Sequence, residues 1–374
     1  MKYPILYNST ETNFNNNGIG VLNDCISCEV TEERNGQFEL VMRYPTDGNY
    51  FDLIQTRMIL KAKPDRYREP QLFRIYAIKK PMLGAITINA AHISYDLNGI
   101  PVKKPYSNFG AIGNPHQIFN EMKSDSIVDV PFTFESDIEV TNWIISEKDK
   151  SSFRSILFDN SAFGFLYLFG GEYEFDNFVI KLHKERGQNR GVVIRYGKNL
   201  TSFTQDENVE NLYTGVFPFW CGYVIKDGYE LFESVFLPEE IVEASGVFDF
   251  VRILPLDLSN ILDVKQVDET TSTAPTTTEI REYTQKYIET NKIGIPDIST
   301  TLSFEQLAQS SEYANLESLE RISLCDYVNI EYPRFGISTT AEVVKMVYDV
   351  LNEKIKSVTI GTLRKNIADT IAKR

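Results

Sequence analysis

A chain of 374 residues with 38 basic and 52 acidic side chains, and so a net charge of −14, is too long for one ordinary core and points to two to four domains. The charge argues against tight binding of phosphate backbones, which needs Lys and Arg to displace counterions, and suits a wall that DNA passes without adhering. No stretch approaches the ~20 apolar residues of a membrane span, and M-K-Y-P-I-L-Y-N lacks a signal peptide's apolar core and cleavage site, so a product made and kept in the cytoplasm, or released by lysis, is expected.

Twenty-four Phe and 20 Tyr lean toward β structure. After an Asn-rich turn, Asn13 to Gly18, the run C-E-V-T-E-E-R-N-G-Q-F-E-L-V-M-R-Y-P predicts a β-hairpin. Asn35-Gly36 suits a type I′ turn, Phe38, Leu40, Met42 and Tyr44 share one face, and Pro45 ends the strand. Strands at Met58–Lys63, Leu72–Lys79 and Ala85–Ala91 complete a barrel or sandwich of about 100 residues. A loop-like stretch from Gly99 to Gly113 puts a boundary near residue 104.

Beyond it, helices are expected at residues 114–124 and from Ser151 to Asp159, and strands at 172–175 and 178–183, a small α+β unit. R-G-Q-N-R-G-V-V-I-R-Y-G-K-N-L (186–200) frames a strand, Val192 to Tyr196; its glycine spacing fits neither phosphate-binding loop pattern. Strands resume at Leu212–Phe217 and Tyr223–Ile225. A Thr-rich tract, Asp268 to Glu279, reads as linker or exposed loop, and Thr276 to Glu279 forms a capping box opening a helix through Ile280, Tyr283, Tyr287 and Ile288. After a strand at 298–304, residues 321–361 read as a meander of strands, Ile322–Tyr332, Thr340–Asp349 and Ile355–Ile360. The competing helix through Ala341, Val344, Tyr348 and Leu351 is disfavoured by Val343, Val344 and Val347, whose branched side chains suit a pleated surface. A short amphipathic helix with Leu363, Ile367 and Ile371 closes the chain.

No catalytic, cofactor-binding or metal-ligating residue is assigned. His92, His116 and His183 form no metal-type pair, and neither HExxH nor GxSxG occurs. Cys25 and Cys28 are spaced as CxxC, but Cys221 and Cys325 stand alone, so reduced thiols are favoured over a four-thiolate zinc site. Trp220-Cys221-Gly222 lacks the residue order around a thiol-protease nucleophile. Glu172 and Glu174 share a strand face by spacing alone. Trp143 and Trp220 leave open a saccharide- or receptor-binding surface, although such residues are more often core or interface anchors.

Three segments, Glu32–Pro45, Gly170–Leu200 and the final meander (L-C-D-Y-V-N-I through A-E-V-V-K-M-V-Y-D-V-L to S-V-T-I-G), resemble the prophage tail protein family, labelled tail endopeptidase or tail-associated lysin. Cys325 stands where the L-G-D-x-V pattern has Gly, and the chain stops shortly after Gly361, where longer members continue into lytic or fibre-like modules, so the lytic label finds no carrier here and enzyme activity is not expected.

The resemblance implies a β-rich α+β, multidomain, baseplate-hub-like fold. It places a first tube-type β-barrel at 1–104, a small α+β domain at 105–190 and a second, discontinuous barrel at 191–225 and 318–361. An inserted domain at 226–317 carries the Thr-rich loop 268–279, and 362–374 is a C-terminal helix. It further implies a structural homotrimer at the virion tail tip of a phage or prophage of a Gram-positive host, assembled in the bacterial cytoplasm. This ring would join the distal tail protein or tail tube to a tail fibre or receptor-binding protein and pass the tape-measure protein and then DNA. The alternatives are a tail-associated peptidoglycan endopeptidase and a receptor- or saccharide-binding tip protein.

Overall fold

The computed structural model describes residues 2–103, 109–146, 152–160, 164–210, 212–246, 248–259, 261–268, 270–291, 293–295, 297–304, 321–332 and 337–361. The expected C-terminal helix at 362–374 lies outside these residues. In chain order the first strands are β1 (Ile5–Tyr7), β2 (Gly20–Val21), β3 (Ser27–Glu33), β4 (Phe38–Pro45), β5 (Ile59–Ala62), β6 (Gln71–Lys79) and β7 (Ala85–His92). A mixed segment follows, with β8 (Phe109–Gly113), α1 (Pro115–Ser124), β9 (Thr133–Ser136), β10 (Asn142–Ser146), α2 (Phe153–Leu157), α3 (Phe165–Phe169), β11 (Glu172–Asp176) and β12 (Val179–His183). Then come β13 (Asn189–Arg195), β14 (Leu200–Asn208), β15 (Gly215–Lys226), β16 (Tyr229–Phe236), β17 (Val242–Glu243), β18 (Ile253–Asp257), β19 (Lys265–Asp268) and β20 (Thr271–Thr273). The described chain ends with α4 (Thr277–Thr290), β21 (Asp297–Phe304), β22 (Tyr327–Tyr332), β23 (Ile337–Asp349) and β24 (Lys354–Gly361).

Two compact units result, one from 1–204 with 300–361 and one built on 205–299. The first is organised on a sheet ordered β14-β21-β24-β23-β3-β4-β7-β6-β5-β1-β2, with β13 beside β22 and β22 beside β23. Alternation explains the strands. Phe38, Leu40, Met42 and Tyr44 on β4 are 0–1% exposed, while Glu39, Val41 and Arg43 point outward. The register from Glu29 opposite Asp349 to Glu33 opposite Lys345 joins β3 to β23, so the first hairpin and the last meander share one sheet. Residues 341–349 are therefore strand, and the helical alternative is set aside.

The Asn35-Gly36 hairpin forms, but not with the expected type I′ turn. Asn35 alone takes positive φ, 50°, and Glu33 N–H donates to the Gln37 carbonyl at 2.7 Å, closing a three-residue loop. The cause is tertiary: Asn35 Oδ1 accepts from Tyr173 N–H at 2.8 Å and its Nδ2 donates to the Gly171 carbonyl at 2.8 Å. Among the described residues, the mixed segment forms no core separate from that of the first strands. Ile118, Phe119, Phe153 and Leu182 belong to the same apolar cluster as Leu40, Ile88 and Met346.

In the second unit β15 is central, pairing antiparallel with β16 and β17 and parallel with β18. Residues 212–217 and 223–225 thus contribute to one long strand whose hydrogen bonds go to neighbours inside 205–299, not to β22–β24 as the expected 191–225 plus 318–361 grouping requires. Val216, Trp220, Val224, Leu256, Leu258 and Ile280 fill its core. The predicted capping box opens α4: Glu279 N–H donates to Thr276 Oγ1, and Glu279 Oε2 accepts from Thr276 N–H at 2.9 Å. Part of the Thr-rich tract is β20 rather than free loop.

Candidate functional site: a buried seam of paired charges

The chemistry of the first unit concentrates where β3, the β6 approach, β11 and the segment leading into β13 converge. Glu32 on β3 is 3% exposed. Its Oε2 accepts from Arg68 Nη1 at 2.6 Å and its Oε1 from Arg186 Nη1 at 3.0 Å. Arg186 also donates to the Tyr173 carbonyl at 2.9 Å, and Arg68 to the Phe175 carbonyl. Desolvation pulls the Arg186 guanidinium down, but Glu32, Cys325 and Glu174 beside it together hold it charged, above its ordinary range. One carboxylate bridges both guanidinia, and removing it would strand two buried cations.

Next along the seam, Asp326 is 2% exposed. It accepts from Gln188 N–H and Ser323 N–H, each at 2.8 Å, and from Arg190 Nε at 3.2 Å. Gly187 crosses so close that a Cβ there would lie 1.8 Å from the Cys325 carbonyl oxygen. Cys325 itself has φ of 71°, a left-handed conformation that L side chains adopt at a cost. A glycine would hold this conformation without that cost.

Glu172 and Glu174 on β11 are both engaged. Glu174 Oε2 meets His183 Nε2 at 2.9 Å, and this bond holds its carboxyl down to about 2. Glu172 Oε2 accepts from Arg186 N–H at 2.8 Å, and Arg34 Nη1 lies 3.5 Å from its Oε1 and 2.5 Å from Glu342 Oε2. Donor atoms of Glu172, Cys325 and Glu342 fall within 4.8 Å of one another, the one such metal-type group among the described residues. They do not fit a metal: Arg34 already supplies the cation, and burial pushes the Cys325 thiol well up, keeping it protonated.

The other singled-out residues go elsewhere. Cys25 and Cys28 are buried free thiols; Cys25 Sγ donates to the Ser27 carbonyl at 3.2 Å, and burial raises it to about 12. His92 is fully buried and held neutral by desolvation. Its Nδ1 accepts from Ser94 N–H at 3.2 Å, so Nε2 donates to Gln71 Oε1 at 3.2 Å, and its ring stacks on Phe38. His116 meets Asn120 at 3.2 Å. Trp220 is core, 2% exposed with Nε1 donating to the Leu262 carbonyl at 2.8 Å, which removes it from any binding surface; Trp143 is 55% exposed. Cys221 is half-buried, its Sγ donating to Ser234 Oγ at 3.3 Å. Around it β15 and β16 expose Tyr223, Phe232 and Phe236, a surface that single tryptophans did not signal.

Glu32, Arg68, Arg186 and Asp326 were not foreseen as a unit, because their partners lie 36, 154 and 136 residues apart. The available signal was the run 170–200, the most specific part of the resemblance. Two of its arginines and one of its glycines prove to serve the seam.

Residues 261–371 match the family model described as prophage endopeptidase tail. No curated protein matches the sequence. Among solved structures, the prophage tail protein gp18 from Listeria monocytogenes EGD-e is similar at a TM-score of 0.57 and 14% identity, over 99% of this chain and 97% of that one. The 43 kDa tail protein of prophage MuSo2 from Shewanella oneidensis aligns at 0.57 and 11%, over 97% and 98%. The tail protein from Neisseria meningitidis MC58 aligns at 0.55 and 5%, over 96% of each chain. The resemblance read from the sequence therefore stands: the chain carries the prophage tail family's signature in residues 261–371 and has the fold of prophage tail proteins.

Proposed function

We propose that the protein is a structural hub of a phage or prophage tail, a homotrimeric ring at the tail tip. It adapts the tail tube or distal tail protein to a threefold fibre or receptor-binding assembly and passes the tape-measure protein and DNA. The observation that carries this reading is the match over 96–99% of the chain to three prophage tail proteins, with little of any of them left over. The net charge of −14 supports a DNA conduit that does not retain its cargo. The reading includes two tube-type barrels, one from 1–104 and one centred on 191–204 with 318–361, and a Gram-positive host. Multi-angle light scattering and negative-stain microscopy of purified protein test it. A threefold mass and open rings are expected; a persistent monomer at high concentration overturns the trimer.

The description of the matched family supports a second reading, a peptidoglycan endopeptidase. Zymography on Gram-positive cell walls separates the two. Clearing that disappears in Cys221→Ala would replace the structural reading, and no clearing by either protein sets the lytic one aside.

A further inference from the structure

The carboxylates of Glu172 and Glu342 face each other with too few donors. Glu342 Oε2 accepts from Arg34, but its Oε1 is buried without a hydrogen-bond donor among the described residues. The charged and titratable groups around it come from every element packed there. Arg34 belongs to the β3–β4 turn, Glu172 to β11, Arg186 and Glu185 to the segment entering β13, and Cys325 and Tyr327 to the start of β22. Arg34 is one guanidinium for two carboxylates, and the side chain of Arg186 is already committed to Glu32 and the Tyr173 carbonyl. Two ionised carboxylates accept only. One proton placed on either would turn an orphaned oxygen into a donor and remove the excess charge.

We propose that Glu172 and Glu342 form a proton-operated clasp, closed when the two carboxyls share one proton and released when both ionise, fastening the β3–β4 turn and β11 to the last meander. Burial pushes the Glu342 carboxyl up to about 7 against the pull of Arg34, and Glu172 adds to the rise. Because the folded value is raised, the clasp's contribution is complete below the ordinary carboxylate range and lost as pH rises through about 7. This inference is independent of the hub assignment, since it concerns contacts inside one chain.

Hydrogen exchange of the full chain between about pH 5.5 and about 8.5, corrected for intrinsic rates, tests it. The wild type is expected to lose protection at residues 33–37, 171–175, 322–332 and 337–344, with the local opening constant rising about tenfold per pH unit up to about 7 and levelling off above it. Glu342→Gln, which keeps the shape and cannot ionise, should give a flat profile there. Glu172→Gln, which removes the neighbouring charge, should move the midpoint to lower pH, and this second variant decides the matter if Glu342→Gln fails to fold. A flat wild-type profile, a wild-type slope in Glu342→Gln or an unmoved midpoint in Glu172→Gln overturns the clasp.

Discussion

At the scale of single residues, the seam stores a conformational cost at Cys325. With φ at 71° and the Gly187 backbone against its carbonyl, the residue cannot relax. In a left-handed position a Cβ costs about 1 kcal/mol or more relative to glycine, even after the unfolded-state entropy of glycine is counted. Cys325→Gly should therefore be more stable than Cys325→Ala by about 1 kcal/mol, a comparison in which both variants lose the thiol; equal denaturation midpoints would remove strain as the explanation. Asn35 is the opposite case, a residue suited to its positive φ and used at both ends of its amide. Asn35→Ala forfeits two hydrogen bonds and the favourable backbone, and should cost about 2 kcal/mol in urea unfolding. Asn35→Gly keeps the backbone and should cost less. The Asn-Gly pair announced a turn in the sequence. The kind of turn was not legible, because Gly171 and Tyr173, 136 and 138 residues away, determine it.

At the scale of elements, alternation made most strands readable, and pairing decided the ambiguous one. Residues 341–351 carry both a helical and a strand pattern; β3, some 300 residues earlier, supplies the register that makes them strand. The same long-range joins explain why the charged seam was not legible. Glu32 and Arg186 are unremarkable in their own segments and become interdependent only when β3 and the β13 approach meet. Glu32→Gln leaves two buried guanidinia with a neutral partner and should cost on the order of 3–5 kcal/mol, measured by denaturant unfolding. Loss below about 1 kcal/mol would mean that water reaches the site. On β11, the depressed Glu174 carboxyl contributes stability that is complete above its ordinary value and lost as pH falls toward about 2. His183→Ala removes the main cause, so acid unfolding followed by circular dichroism should move to higher pH. An unchanged acid midpoint would show that the Glu174–His183 bond holds nothing.

At the scale of the whole molecule, the chain leaves the first unit after residue 204 and returns at residue 300. β14 and β21, the strands at the two crossings, are neighbours in the sheet, so the departing and returning ends are already side by side. Among the described residues, the apolar cluster of the second unit draws its members from between Val216 and Ile293. A unit with its own core and adjacent ends has the anatomy of an insertion, and an insertion can be removed without opening the host core. Replacing residues 205–299 with a short glycine-containing turn should leave a protein that retains its strand signal and unfolds cooperatively. Tryptophan emission supplies the control. Trp220, buried against the Leu262 carbonyl, leaves with the insertion, while Trp143, 55% exposed, remains. The deleted protein should therefore emit at longer wavelength than the full chain, and the isolated 205–299 fragment at shorter. A deleted protein that aggregates or melts without a transition would show that the second unit completes the first, and the insertion reading would fall.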